Sequence, residues 1–176
     1  MAILEHPSKP CRRSIRLPDF DYSQAGYYFV TVVTHRMECI FGHVSEGKVV
    51  LNQYGNIVHE CWNEVPMFHP YAELDDFVVM PNHFHGLLSL SRREDGLMAS
   101  NKSLQVPTDL NRQSHTLGSI VRGFKAGVTS RMGAVGYKGQ VWHRNYWEHV
   151  IRDSTPLLEI KTYIQNNPIR WEADRL

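Results

Sequence analysis

Apolar residues fall along this chain in short bursts, and each burst carries the period of one kind of element. Residues 27–36, "YYFVTVVTHR", are β-branched and aromatic almost throughout and predict a central strand. "CIFGHV" and "KVVLN" flank the Gly-containing "SEG" and predict a hairpin. Ile57, Val58, Cys61, Trp62 and Val65 then recur at the spacing of one helical stripe, with Pro66 expected to close the helix. "LDDFVVM" and "HFHGLLSL", separated by Pro81-Asn82, predict an antiparallel pair. Residues 91–115 are polar and aperiodic, which predicts a mobile loop. Thr116 is positioned to cap a second helix whose buried stripe is Leu117, Ile120, Val121, Phe124, Val128 and Met132. "QVWHRNYWEHVI" predicts a last strand, bulged near Arg144-Asn145. "DSTPLLEIKTYIQNN" predicts a final helix with Pro156 in its first turn and Pro168 at its end.

The order is strand, hairpin, helix, two strands, helix, strand, helix. Helices over a mainly antiparallel sheet make an α+β class, and the βαββαβ core predicts a ferredoxin-like arrangement with an added C-terminal helix. The 176 residues suit one domain, with a polar arm through about Gly26 ahead of the first strand. A hydrophobic fraction of 42% and a charged fraction of 21% exclude wholesale disorder and fibrous repeats. No apolar run approaches the ~18 residues that cross a bilayer, and the N-terminus lacks the basic-then-apolar order of a secretory signal. The expectation is a soluble cytoplasmic protein with no membrane partner. Cys11, Cys39 and Cys61 are scattered and form no Cys-x-x-Cys pair, against a disulfide framework or a thiolate zinc site.

The formal net charge is only +1, but its distribution is uneven. No Asp or Glu occurs from Leu110 to Trp147, a stretch that holds Arg112, Arg122, Lys125, Arg131, Lys138 and Arg144. Such clustering is either a solvated basic face or a surface that tracks phosphates. Arg12 and Arg13 in "CRRSIR" add a basic arm able to reach a DNA groove, or simply a frayed terminus.

The chemistry concentrates in "VVMPNHFHGLLSL". On a strand, His83 and His85 share one face while Phe84, Gly86 and Leu88 take the other. Two imidazoles one pleat apart can grip a divalent cation or can simply hydrogen-bond their neighbours, and a catalytic metal needs a third ligand. The final helix carries Tyr163 and, one turn later, Asn167 on the same face. Tyr163 is a candidate nucleophile toward a phosphate polarised by such a cation, with the Asn167 carbonyl oxygen as candidate third ligand. The same positions also fit an amphipathic stripe in which Tyr163 merely packs.

Taken together, "VMPNHFHGLL", "GFKAGVTSR", "YIQNNPIRW", "GYYFVTVVTHR" and "WHRNYWEHVIRD" resemble the HUH single-strand endonucleases, and within them the REP-associated one-tyrosine transposases, over residues 12–171. The resemblance implies that His83 and His85 hold Mg2+ or Mn2+ and that Tyr163 attacks the scissile phosphate to form a 5′-phosphotyrosine. Insertion-sequence relatives commonly carry glutamine where this chain has Asn167. The implied partner is single-stranded DNA beside a hairpin resembling a repetitive extragenic palindrome, met in the cytoplasm at the nucleoid by a monomer or homodimer. Arg122, Lys125, Arg131, Arg144, Arg12 and Arg13 are the candidate backbone contacts, and Trp142, Tyr146 and Trp147 the candidate stacking rings. Two other functions stay open: a non-catalytic hairpin-binding regulator, and a nuclease of the replication or transfer initiator kind.

Overall fold

The computed structural model describes residues 21–91 and 116–171. The arm with Arg12 and Arg13, and all of the expected mobile loop but Ser91, lie outside the described residues. In chain order the elements are β1 (Gly26–Val33), a 3-10 turn (His35–Met37), β2 (Gly42–Ser45), β3 (Lys48–Leu51), α1 (Gln53–Asn63) and α2 (Val65–Phe68). After them come β4 (Ala72–Val79), β5 (His83–Leu90), α3 (Leu117–Ala134), β6 (Trp147–Ile151) and α4 (Ser154–Arg170).

Four strands form an antiparallel sheet in the order β4-β5-β1-β6, and β2 pairs with β3 in a separate ribbon. With α1 after β1 and α3 after β5, this is the ferredoxin-like βαββαβ order, the hairpin being an insertion between β1 and α1. β1 is central, as its unbroken apolar run requires.

The two sheet faces are covered by different helices. Alternation sends Tyr28, Val30 and Val32 of β1 and Phe84 and Leu88 of β5 into one cluster, together with Val58, Cys61 and Trp62 of α1 and Ile120, Phe124 and Val128 of α3. Trp62 lies 4.7 Å from Phe84 and 5.1 Å from Phe124, centroid to centroid. Gly86 makes room for this packing, since a Cβ there would sit 2.7 Å from both the Phe84 and Trp62 rings. On the opposite face Leu87, Ile151 and Ile164 form a smaller cluster under α4, joined by Phe29, Val78, Leu157 and Ile160.

Helix ends differ from the sequence expectation wherever proline was given the deciding role. Asn52 caps α1 through Oδ1, which accepts from the N–H groups of Tyr54 and Gly55. Pro66 does not close a helix: α1 ends at Asn63, and Pro66 lies in the first turn of α2, where its missing N–H costs nothing. Thr116 caps α3 as expected, in a reciprocal box with Ser119. α4 continues through Pro168 to Arg170. Burial of Asn167 and Trp171 against the sheet outweighs the helix-breaking bias at this last turn. The last strand is also shorter than expected. Only Trp147–Ile151 pairs with β1; the preceding residues form an irregular segment with a single bridge from Trp142 to Thr34. Among the described residues, no helix is long and apolar enough to cross a membrane.

Candidate active site

β5 begins with His83, and its pairing with β1 puts His85 beside Thr31 and His83 beside Val33. Both imidazoles emerge on the α4 face, while Phe84 fills the core behind them. The expectation of a shared face holds. α4 lies over that face, leaving His85 only 5% exposed and Asn167 only 2% exposed. The two imidazole centroids are 4.6 Å apart.

Each ring is oriented through its Nδ1. His83 Nδ1 lies 2.7 Å from Asn82 Oδ1, and the Asn82 amide donates at 3.2 Å to the Met37 carbonyl. That second bond commits Oδ1 to accepting, so His83 carries its proton on Nδ1 and its lone pair on Nε2 when neutral. His85 Nδ1 lies 2.8 Å from Thr31 Oγ1. Phe29 stacks on the His85 ring at 5.2 Å. Burial, with His83 alongside, pushes the His85 imidazole down to about 3, so it is neutral near pH 7.

The final helix delivers the remaining groups. Asn167 Oδ1 is 3.3 Å from His83 Nε2, and Tyr163 Oη is 3.4 Å from His85 Nε2. The Tyr163 ring meets Phe29 edge-on at 6.2 Å and remains 40% exposed. The phenol is therefore neither sunk in hydrocarbon nor free in solvent. α4 is clasped to β4 on either side of it in sequence: Lys161 Nζ pairs with Asp75 at 2.7 Å, and Gln165 Nε2 donates to Asp76 at 2.9 Å. Asp75 and Asp76 sit at the register irregularity between Leu74 and Phe77.

The donor set suits a cation. Two imidazole nitrogens, in the unprotonated form, and an amide oxygen can act as ligands, and outer partners already orient both rings. Across the 3.3 Å between His83 and Asn167 two acceptors meet, an arrangement that a shared electrophile, proton or cation, stabilises. Among the described residues, no group of three or more His, Cys, Asp and Glu side chains stands ready for a metal; beside the two imidazoles, the third candidate donor is the amide oxygen of Asn167.

The basic residues divide. Arg122 and Arg144 are exposed and line a cavity of about 450 Å³ with Lys125, Thr116, Ser119 and Tyr146. The cavity adjoins α3, on the far side of the sheet from the histidines. Lys125 Nζ donates to the carbonyls of His143, Arg144 and Asn145, at 2.8, 3.3 and 3.4 Å, and so braces that segment. Arg131 is held by Glu64 through both terminal guanidinium nitrogens, and Glu60 lies 4.0 Å away. It links α3 to α1. The expectation for Trp142 is corrected: it is buried against Phe41 and Phe124, with its indole N–H donating to the Lys125 carbonyl, and has no free face for a base.

Thr31 and Asn82, which orient the histidines, escape a reading of the sequence. Asn82 adjoins His83 and was legible only as a turn residue; Thr31 carries no local signal, because its role depends on strand register.

No family model matches the chain. A Haemophilus influenzae protein described only as uncharacterized is 46% identical over 168 residues, covering 94% of this chain and 92% of that protein. A second protein of the same organism, provisionally assigned as a REP-associated tyrosine transposase, is 23% identical over 150 residues, covering 85% of this chain and 74% of its own length. The solved structure of a REP-associated tyrosine transposase bound to a REP hairpin superimposes with a TM-score of 0.56 at 22% identity, covering 82% of this chain and 67% of the other.

The chain shares the fold of that solved transposase.

Within that shared fold, the candidate site residues come from β5 and α4, about 80 positions apart in sequence. The sheet and the clasp on α4 bring them into one cluster.

Proposed function

We propose that this protein is a transposase-type enzyme that cleaves and rejoins single-stranded DNA beside a hairpin, with Tyr163 as nucleophile. One observation carries the reading: a half-exposed phenol on α4 lies 3.4 Å from an imidazole whose neighbour faces a buried amide oxygen. A packing tyrosine needs no such company. His83, His85 and Asn167 would hold Mg2+ or Mn2+, which supplies charge neutralisation and polarisation of the scissile phosphate. Tyr163 Oη forms a bond to phosphorus as the bond from phosphorus to the 3′-oxygen breaks. The phenolic proton is lost from Oη and a proton is gained by the departing oxygen, leaving a 5′-phosphotyrosine and a free 3′-hydroxyl. Attack by another 3′-hydroxyl reverses the sequence and joins strands. Phosphoryl transfer asks mainly for alignment and charge stabilisation, which suits a site without a Ser-His-Asp arrangement.

All four groups come from one chain, so the reaction is proposed to run within a monomer. The hairpin would be held partly by Arg122 and Arg144 on the α3 side. The test uses a labelled single strand carrying a palindrome, with Mn2+, followed by denaturing electrophoresis. A protein-linked product lost in Tyr163→Phe and in His83→Ala supports the assignment. Persistence of the adduct in Tyr163→Phe overturns the nucleophile. Tight hairpin binding with no adduct in the parent, unaffected by His83→Ala, favours a non-catalytic regulator, a reading to which the separate basic cavity lends support.

A further inference from the structure

Strand register places a second aromatic feature beside the site. Thr31 pairs with His85 on one side and with Trp147 on the other, so the three residues form one row across β5, β1 and β6. Directly paired residues share a face. Ile151, two pleats beyond Trp147 on β6, packs under α4 with Leu87 and Ile164, which fixes Trp147 on the histidine face as well. α4 covers Ile151 but leaves the start of β6 open, and Trp147 is 44% exposed. With strands about 4.8 Å apart, its backbone lies roughly 10 Å from that of His85.

The indole is not loose. His143 stacks on it with centroids 5.9 Å apart and planes 16° from parallel. The segment carrying His143 is fastened by its own N–H to Val33 O at 2.8 Å, by Asn145 N–H to His143 Nδ1 at 3.3 Å, and by the three carbonyl bonds to Lys125. A braced, solvent-facing ring pair, with Trp147 in the same row as His85, has the make-up of a shelf for a flat aromatic ligand.

We infer that the Trp147–His143 stack is a shelf on which one unpaired base of the DNA strand, close to the phosphate that meets Tyr163, is stacked. This rests on the reading of the site as a single-strand DNA enzyme. The shelf positions the substrate and takes no part in bond making. Stacking reads ring faces and not edges, so the shelf sets where the strand lies and contributes little to sequence choice.

The test measures equilibrium binding by fluorescence anisotropy, in a Tyr163→Phe background where no adduct forms. The probes are labelled oligonucleotides with a hairpin and single-stranded flanks, each carrying one abasic residue at a different flank position. In that background, one abasic position is expected to weaken binding roughly five- to a hundredfold. Trp147→Ala added to it weakens the intact probe by a similar factor and abolishes sensitivity at that position alone; Trp147→Phe retains most of both. A thermal melt and far-UV spectrum matching the parent show that the added variant is folded. Unchanged affinity in Trp147→Ala, or an unchanged abasic profile, overturns the shelf while leaving the proposed activity standing. If the parent fails to bind any probe, the single-strand reading itself falls, and the shelf with it.

Discussion

The two faces of the central sheet use burial for opposite ends. Against α1 and α3 the buried side chains are Trp62, Phe84, Phe124, Leu88 and their neighbours, almost wholly apolar, and the face contributes stability in proportion to area removed from water. Against α4 the apolar cluster is small, and beside it lie His85 and Asn167, both nearly inaccessible. A buried polar group needs a partner or it costs folding free energy. Thr31 and Tyr163 meet that need for His85, and with Asn82 at His83 they orient the candidate reacting groups. The contrast teaches that one face can be altered by volume alone, whereas the other is altered by any change in donor and acceptor pattern.

The comparison can be broken most sharply by single substitutions on adjacent residues. His85→Ala is expected to abolish adduct formation, a loss on the order of a thousandfold or more, at a stability cost of about 1–3 kcal/mol. Phe84→Ala, next in the chain but on the other face, is expected to cost about 3–5 kcal/mol. Urea unfolding followed by circular dichroism reads the stability, and gel quantification of the adduct reads the activity. If the two variants lose chiefly the same property, the division between faces is wrong.

Asn82→Ala sharpens the division within the polar face. Losing the acceptor for His83 Nδ1 is expected to cost about 1–3 kcal/mol and to weaken Mn2+ binding by roughly ten- to a hundredfold, read by calorimetry on the DNA-free protein.

A pH series on metal-free protein tests the burial of His85. Its folded value of about 3 lies below its ordinary 6.5, so between them the unfolded chain binds a proton that the folded chain refuses. The stability contributed by the neutral buried ring is therefore whole above about pH 6.5 and falls as pH drops toward 3. The urea midpoint should decline across that window, and His85→Gln should remove the part of the slope that this ring supplies.

The smallest effect is expected at Arg131. Its pairing with Glu64 and Glu60 is partly exposed, so Arg131→Met should change stability by no more than about 1 kcal/mol. Hairpin affinity should stay near that of the parent, whereas Arg144→Ala should reduce it. A gel-shift titration at fixed salt compares the two, and equal losses would return Arg131 to the DNA track.

Much of the fold was legible because it follows from period. Phe84, Leu88 and Val30 had to share a core by alternation, and the stripe from Leu117 to Met132 had to face the sheet. Local signals misled where tertiary contact outweighed them. Pro168 reads as a stop, yet α4 runs past it because Asn167 and Trp171 are anchored. Trp142 reads as part of an exposed aromatic strand, yet it turns inward between Phe41 and Phe124.

From sequence alone came the identity of the candidate groups: paired imidazoles on one strand face, and a phenol and an amide one helical turn apart. These depend only on the geometry of a single element, which residue spacing encodes. What the tertiary structure decided was their meeting, the tautomer of His83 through Asn82, and the row that sets Trp147 beside Thr31 and His85. Those depend on register between strands and on how α4 docks, and both are set by contacts between residues far apart in the chain, which no local pattern records.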